Sequence, residues 1–85
     1  MMRTITIAVH EKEGLHARPA GILSKASKTF QSKISMTKGE KTVDVTRLFA
    51  VMGLAVKCGE QITITCEGPD EEAAFKAMED ILKDL

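Results

Sequence analysis

Four short stretches of this chain alternate apolar and polar residues, and this alternation constrains the fold more than any other feature. A repeat of two predicts a strand that buries one face and exposes the other. Gly39 separates two of the stretches, which therefore predict a hairpin. The four predicted strands cover residues 4–9, 33–38, 41–45 and 61–66.

Helical spacing of apolar residues fills the gaps between these strands. One helix is expected over residues 17–28. A second, short helix is expected to begin with Thr46 as its cap and to end near Gly53. A last helix opens at Asp70. Its predicted buried stripe comprises Ala74, Ala77, Met78, Ile81 and Leu85.

The resulting order is strand, helix, strand, strand, helix, strand, helix (β-α-β-β-α-β-α). Strands with one apolar face form an antiparallel sheet with one wet face, and helices cover the other. We therefore predict an α+β fold, a two-layer open-faced sandwich of a four-stranded antiparallel sheet and three helices. At 85 residues, the chain is expected to form a single domain over residues 1–85.

Composition limits the function classes. With 12 basic and 12 acidic residues the net charge is zero, which argues against a nucleic-acid binder that relies on a strongly basic domain. The two cysteines do not form a disulfide framework or a CxxC motif. No apolar run approaches the roughly 18 residues of a membrane span, and the first residues do not resemble a signal peptide. We expect a reduced, cytoplasmic protein without membrane insertion.

The charges are segregated along the chain. Residues 1–43 have a net charge of +5 and residues 44–85 a net charge of −5. The first half contains both histidines and the lysines of the first helix. A basic face on a neutral molecule is therefore expected.

His16 is the candidate reactive residue. It lies in the stretch GLHARPA, where it directly precedes the predicted first helix and where Pro19 suits the first turn. Free N–H groups of Ala17 and Arg18 at a helix start bind anions, and the Arg18 guanidinium fits phosphate oxygens. This positive environment disfavours imidazolium and favours a neutral, nucleophilic ring nitrogen. Two interpretations stay open: a phosphoryl acceptor, or an ordinary loop histidine beside an arginine.

Other residues give weaker signals. Neither a metal-ligand spacing such as HExxH nor the phosphate-binding pattern GxxxxGK[ST] is present, so no metal site and no ATP binding are expected. His10 is expected to be solvated, and Cys58 and Cys66 to be structural. On the short second helix, Leu48, Phe49 and Met52 cannot all point inward beside Val51 and Leu54. An exposed apolar patch there favours a partner surface.

At GLHARPA the sequence resembles the HPr family, the small histidine phosphocarriers of the phosphoenolpyruvate-dependent sugar phosphotransferase system. The resemblance extends over essentially the whole chain. It includes KTV at 41–43, VMGLAVKCGEQITI at 51–64 and GPDEEAA at 68–74. The family fold is the sandwich that the alternation predicts.

The resemblance implies specific roles. His16 matches the histidine phosphorylated on Nδ1, and Arg18 the arginine that stabilises the phosphoryl group, with the backbone N–H of Ala17 beside them. Enzyme I donates the group and sugar-specific IIA components accept it, without a cofactor. Members are expected to be monomers. The matching partner surface comprises Leu48, Phe49, Met52, Gly21, Ile22, Lys25 and Lys28.

One position departs from the family pattern. Many members carry a regulatory serine at the start of the second helix, where this chain has Arg47. Control by a serine kinase is therefore not expected, and Arg47 instead adds positive charge to the face that meets enzyme I. The alternative hypothesis is a regulatory paralogue that binds a transcription factor or metabolic enzyme with little carrier flux. A ligand-binding or RNA-binding module is disfavoured, because no aromatic pair is available for base stacking.

Overall fold

The computed structural model has the predicted order of elements, and it describes residues 2–10, 12–15 and 17–83. The strands are β1 (Met2–Ala8), β2 (Lys33–Lys38), β3 (Lys41–Asp44) and β4 (Gln61–Glu67). The helices are α1 (Ala17–Ser27), α2 (Leu48–Gly53) and α3 (Glu71–Lys83). The bounds of all four strands fall within two residues of the predicted ones.

The four strands form one antiparallel sheet in the order β1-β4-β2-β3. β4 lies between β1 and β2, with Ile64 opposite Ile5 on one side and opposite Met36 on the other. The hairpin of β2 and β3 pairs Lys38 with Lys41 across the turn at Gly39. The first and last strands of the chain are therefore neighbours in the sheet.

The two faces of the sheet differ as the alternation predicts. On the open face, threonines pair across strands, Thr6 with Thr63 at 3.0 Å and Thr37 with Thr42 at 2.8 Å between hydroxyl oxygens. The other face is apolar and is covered by the helices, which confirms the predicted sandwich. Side chains buried between the layers include Ile34, Met36, Ile62, Ile64 and Cys66 from the sheet and Ala20, Leu23, Val51, Ala74, Met78 and Leu82 from the helices.

The buried side of the last helix differs in part from the predicted stripe, because Ala77 and Ile81 are only half-buried. Ala74 and Met78 are buried, but the next buried position is Leu82, which the prediction did not include. Leu85 lies outside the described residues. Asp70 directly precedes α3, and its carboxylate accepts the backbone N–H groups of Gln31 and Ser32, at 2.9 and 2.8 Å. This contact ties the loop between α1 and β2 to the start of α3.

Candidate functional site

The site begins at the N-terminal end of α1. Ala17 and Arg18 are exposed, Pro19 is buried in the first turn, and the first turn contains no acidic residue. Backbone N–H groups in the first turn of a helix have no acceptor one turn earlier, and such groups favour anions, so the position of Ala17 and Arg18 suits an anion. His16 directly precedes this turn in the sequence and lies outside the described residues. The described part of the motif thus presents an exposed guanidinium beside a helix start.

The chain just before His16 rests on residues 54–60, which we call the platform loop. The Leu15 N–H donates to the Val56 carbonyl oxygen at 2.9 Å, and the Leu15 side chain is buried. Gly14 has a φ of +73°, and a Cβ atom there would lie 2.2 Å from the Val56 oxygen and 2.8 Å from the Lys57 Cα. Only glycine combines this left-handed conformation with so close a backbone approach.

The platform loop also holds the other end of the loop between β1 and α1. The Val9 N–H donates to the Glu60 carbonyl at 3.0 Å, and the Gly59 N–H donates to the Val9 carbonyl at 2.8 Å. The Cys58 thiol lies 3.8 Å from the His10 carbonyl oxygen. Both ends of the segment that leads to the candidate histidine are thus fixed to the same loop. The sequence analysis did not predict these contacts with the platform loop. Gly14 was the only residue in the local sequence that pointed to them.

The second helix starts differently from its prediction. The prediction that Thr46 caps α2 is wrong, because the residue at the N-cap position is Arg47, whose side chain makes no capping hydrogen bond. The Thr46 hydroxyl and N–H instead donate to the Asp44 carboxylate, at 2.7 and 2.9 Å. The hydroxyl hydrogen bond lowers the pKa of Asp44 below its ordinary value. Arg47 is exposed, as expected for a residue that adds charge to this face.

Exposed apolar side chains lie on α1 and on α2. Phe49 on α2 is 82% exposed and Ile22 on α1 is 44% exposed. Leu48 and Met52 are half-buried and pack against the core. The prediction that the stripe on α2 cannot be wholly buried is confirmed, and Phe49 is its outward member.

A buried serine joins the two helices. The Ser24 hydroxyl on α1 donates to the Thr46 carbonyl at 2.9 Å, next to the start of α2. The remaining predicted surface residues all lie on or just after α1: Gly21 is half-buried, and Lys25 and Lys28 are exposed. The structure therefore places the predicted partner residues on two helices that pack together.

The other candidate groups lie outside this surface. His10 is exposed, Cys58 is exposed, and burial in the sheet raises the pKa of the Cys66 thiol to about 11. Within residues 2–10, 12–15 and 17–83, no three His, Cys, Asp or Glu side chains cluster in a way that could hold a metal ion. In the same part of the chain, no helix has the length and apolar character needed to cross a membrane.

Comparisons with known proteins point to one family. Residues 3–84 match a family model described as the PTS HPr component phosphorylation site. A phosphocarrier protein HPr of Lysinibacillus sphaericus is 38% identical over 84 residues, which are 99% of this chain and 96% of the relative. Another, of Treponema pallidum, is 38% identical over 74 residues, which are 87% of this chain and 84% of the relative. A solved histidine-containing phosphocarrier protein of Mycoplasma superposes with a TM-score of 0.93 at 34% identity, covering 96% of this chain and 93% of that one.

Proposed function

Because this chain belongs to the HPr family, it is a phosphoryl carrier of the phosphotransferase system rather than an enzyme, and we propose that His16 carries the phosphoryl group. The observation that supports this assignment is the exposed helix start at Ala17 and Arg18, directly after His16 in the sequence. The family relationship does not favour the alternative of a regulatory paralogue with little carrier flux. We also propose that residues 1–85 form one carrier domain.

In the proposed reaction, the Nδ1 lone pair of neutral His16 attacks phosphorus on phosphorylated enzyme I. The bond from phosphorus to the donor atom breaks, and its electron pair stays with enzyme I. The Nε2 proton of His16 is retained, so no base is required. Arg18 and the N–H groups of Ala17 and Arg18 stabilise the phosphoryl oxygens by charge and hydrogen bonding.

A nucleophilic side chain of a IIA component then attacks the phosphorus on His16, the bond from phosphorus to Nδ1 breaks, and its electron pair returns to Nδ1. A carrier must release its group as readily as it takes it, so it should not bind the phosphoryl group deeply. Arg18 and Ala17 are both exposed, and an open helix start of this kind suits such a balance.

We propose that enzyme I and the IIA components dock on α1 and α2. Phe49 and Ile22 supply exposed apolar area, and exposed Arg18, Lys25 and Arg47 supply positive charge. Acidic residues such as Glu72 and Asp80 are exposed on α3. A basic face of this kind attracts acidic partners, and association should slow as ionic strength rises.

The remaining parts of the proposal concern setting and control. We propose a monomer in the cytoplasm, where the free thiols of Cys58 and Cys66 remain reduced. We expect no control by a serine kinase, because Arg47 occupies the matching position. Thr46 is a poor substitute, because a phosphate on its hydroxyl would lie beside the Asp44 carboxylate that this hydroxyl now contacts.

Labelling tests the proposal directly. The protein is incubated with enzyme I and ³²P-labelled phosphoenolpyruvate, and the label is followed in wild type, His16→Ala and His10→Ala. His10 is the only other histidine of the chain, so its variant is the matched control. Label is expected in wild type and in His10→Ala only. Label retained in His16→Ala, or none in wild type, overturns the proposal.

A further inference from the structure

Lys38, the last residue of β2, contacts the platform loop through its side chain. The Lys38 Nζ donates to the carbonyl oxygens of Leu54 and Ala55 at 3.1 and 3.0 Å. The same Nζ lies 3.0 Å from the Glu60 Oε1. The Lys38 side chain is only 27% exposed, so its charge is directed into these contacts.

Glu60 closes the platform loop on itself. Its Oε1 also accepts the Lys57 N–H at 2.7 Å, and its own N–H donates to the Lys57 carbonyl at 3.0 Å. The Lys57 N–H and the Lys38 charge lower the pKa of the Glu60 carboxyl, so it is ionised near neutral pH. Lys38 and Glu60 together therefore fix both ends of the platform loop.

The platform loop requires such support because part of its backbone is strained. Ala55 has a φ of +52°, a left-handed conformation that is unfavourable for a residue with a Cβ atom. The Lys38 ammonium contacts the carbonyl of this same residue. Without Lys38, the carbonyl oxygens of Leu54 and Ala55 would lose the side-chain donor that the described part of the chain gives them, and the loop could relax toward other conformations.

Such relaxation reaches the reactive residue in two steps. Val56 follows Ala55, and its carbonyl oxygen accepts the Leu15 N–H. Leu15 is bonded covalently to His16. A displacement of Val56 is therefore passed to the residue that directly precedes the proposed phosphoryl acceptor.

We propose that Lys38, paired with Glu60, is a positioning residue for phosphoryl transfer: it holds the platform loop, on which Leu15 and hence His16 are placed. The proposal rests on the proposed carrier role of His16. Lys38 acts through the platform loop, so it should affect the geometry of the reacting atoms more than the affinity for enzyme I.

Four variants test this assignment. Lys38→Met removes the ammonium, Lys38→Arg keeps a donor, and Glu60→Gln removes the opposing charge. Lys41→Met is the matched control, because Lys41 is the exposed cross-strand neighbour of Lys38. Transfer from phosphorylated enzyme I is measured at a temperature at which every variant is folded, and the maximal rate is separated from KM. Hydrogen exchange of the Leu15 amide is followed by NMR in the same variants.

The maximal rate of Lys38→Met is expected to fall about tenfold, because loss of reactant positioning acts on the chemical step. KM should change less than about twofold, since the docking surface is retained. The Leu15 amide should exchange faster in Lys38→Met and Glu60→Gln. Lys38→Arg should recover most of the rate, and Lys41→Met should match wild type in both measurements.

A wild-type maximal rate in Lys38→Met overturns the assignment, and so does a Leu15 amide that exchanges no faster. Equal slowing in Lys38→Arg and Lys38→Met also overturns it. If Lys38→Met does not fold, Glu60→Gln decides by the same two measurements. If the wild-type protein accepts no phosphoryl group, the carrier role of His16 is overturned instead. Hydrogen exchange of the Leu15 amide requires no phosphoryl donor, so it then decides separately whether Lys38 holds the platform loop.

Discussion

Gly14 offers the sharpest stability test, because it lies against the platform loop with no room for a side chain. A Cβ atom there would meet three backbone atoms, the nearest being the Val56 carbonyl oxygen at 2.2 Å. Backbone atoms cannot rotate away as a side chain can. Gly14→Ala therefore requires the chain before His16 and the platform loop to separate.

The cost of Gly14→Ala can be estimated from its parts. A left-handed conformation costs alanine about 1–2 kcal/mol. Separation of the two segments also breaks the hydrogen bond from Leu15 to Val56, worth about 1 kcal/mol, and strains the packing around buried Leu15. The unfolded chain becomes less flexible, which returns about 0.5–1 kcal/mol. We expect a net loss of about 3 kcal/mol.

Gly39→Ala is the matched control. Gly39 has a φ of +61°, but no atom lies within 4 Å of the position of its Cβ. This variant has the conformational cost without the overlap, so it should lose only about 1 kcal/mol. Urea unfolding measures both, and the difference of about 2 kcal/mol corresponds to roughly 8–16 °C in Tm for a chain of this size. Equal destabilisation of the two variants would refute the close approach of Gly14 to the platform loop.

Four further outcomes are expected. Phe49→Glu should raise KM for enzyme I by about 30-fold, as for a central interface residue. The control is Met2→Glu, which changes an exposed apolar residue on a strand and should leave KM unchanged; equal KM values for the two variants contradict the docking surface. Hydrogen bonds from the Ser32 hydroxyl and the Gln31 N–H lower the pKa of Asp70, so its stabilisation is present above the unfolded-state pKa and is lost as pH falls through the folded-state value. Asp70→Asn should therefore lower Tm at pH 7 and flatten its decline toward pH 3, and parallel Tm curves would contradict this. Ala55→Gly should stabilise the fold by about 0.5 kcal/mol in urea unfolding, since glycine accepts its φ of +52°; a loss of stability would count against the strain. A thiol reagent at pH 8 should modify one cysteine of the native protein, and Cys58→Ser should abolish that reaction, because burial raises the pKa of Cys66 to about 11.

The sheet could be predicted from the sequence because its signal is local. A strand with one buried face must alternate, so Ile62, Ile64 and Cys66 reveal both the strand and its inner face. The helix start at Ala17 could be predicted for the same reason, because Pro19 and the preceding loop lie within a few residues of it.

Contacts between distant segments could not be predicted in this way. Thr46 looks like a helix cap, but the Asp44 carboxylate competes for its hydroxyl, and the competition depends on the fold of the loop. Lys38 and Glu60 look like ordinary surface charges until the fold brings both to the platform loop. The contacts that hold the platform loop therefore could not be predicted from the local sequence, whereas the assignment of His16 and Arg18 stays a prediction.

The strand order also determines when the sheet can form during synthesis of the chain. β1 is made first, but its partner is β4, and Thr6 and Thr63 are 57 positions apart. At the usual speed of a ribosome, about 5–20 residues per second, β1 waits roughly 3–12 s before its partner has been synthesised. During that time the apolar side chains of Ile5 and Ile7 have no sheet to join, and the polar residues of β1 are Arg3, Thr4 and Thr6. The sheet can therefore be completed only after β4 has been synthesised, because β1 has its pairing partner there.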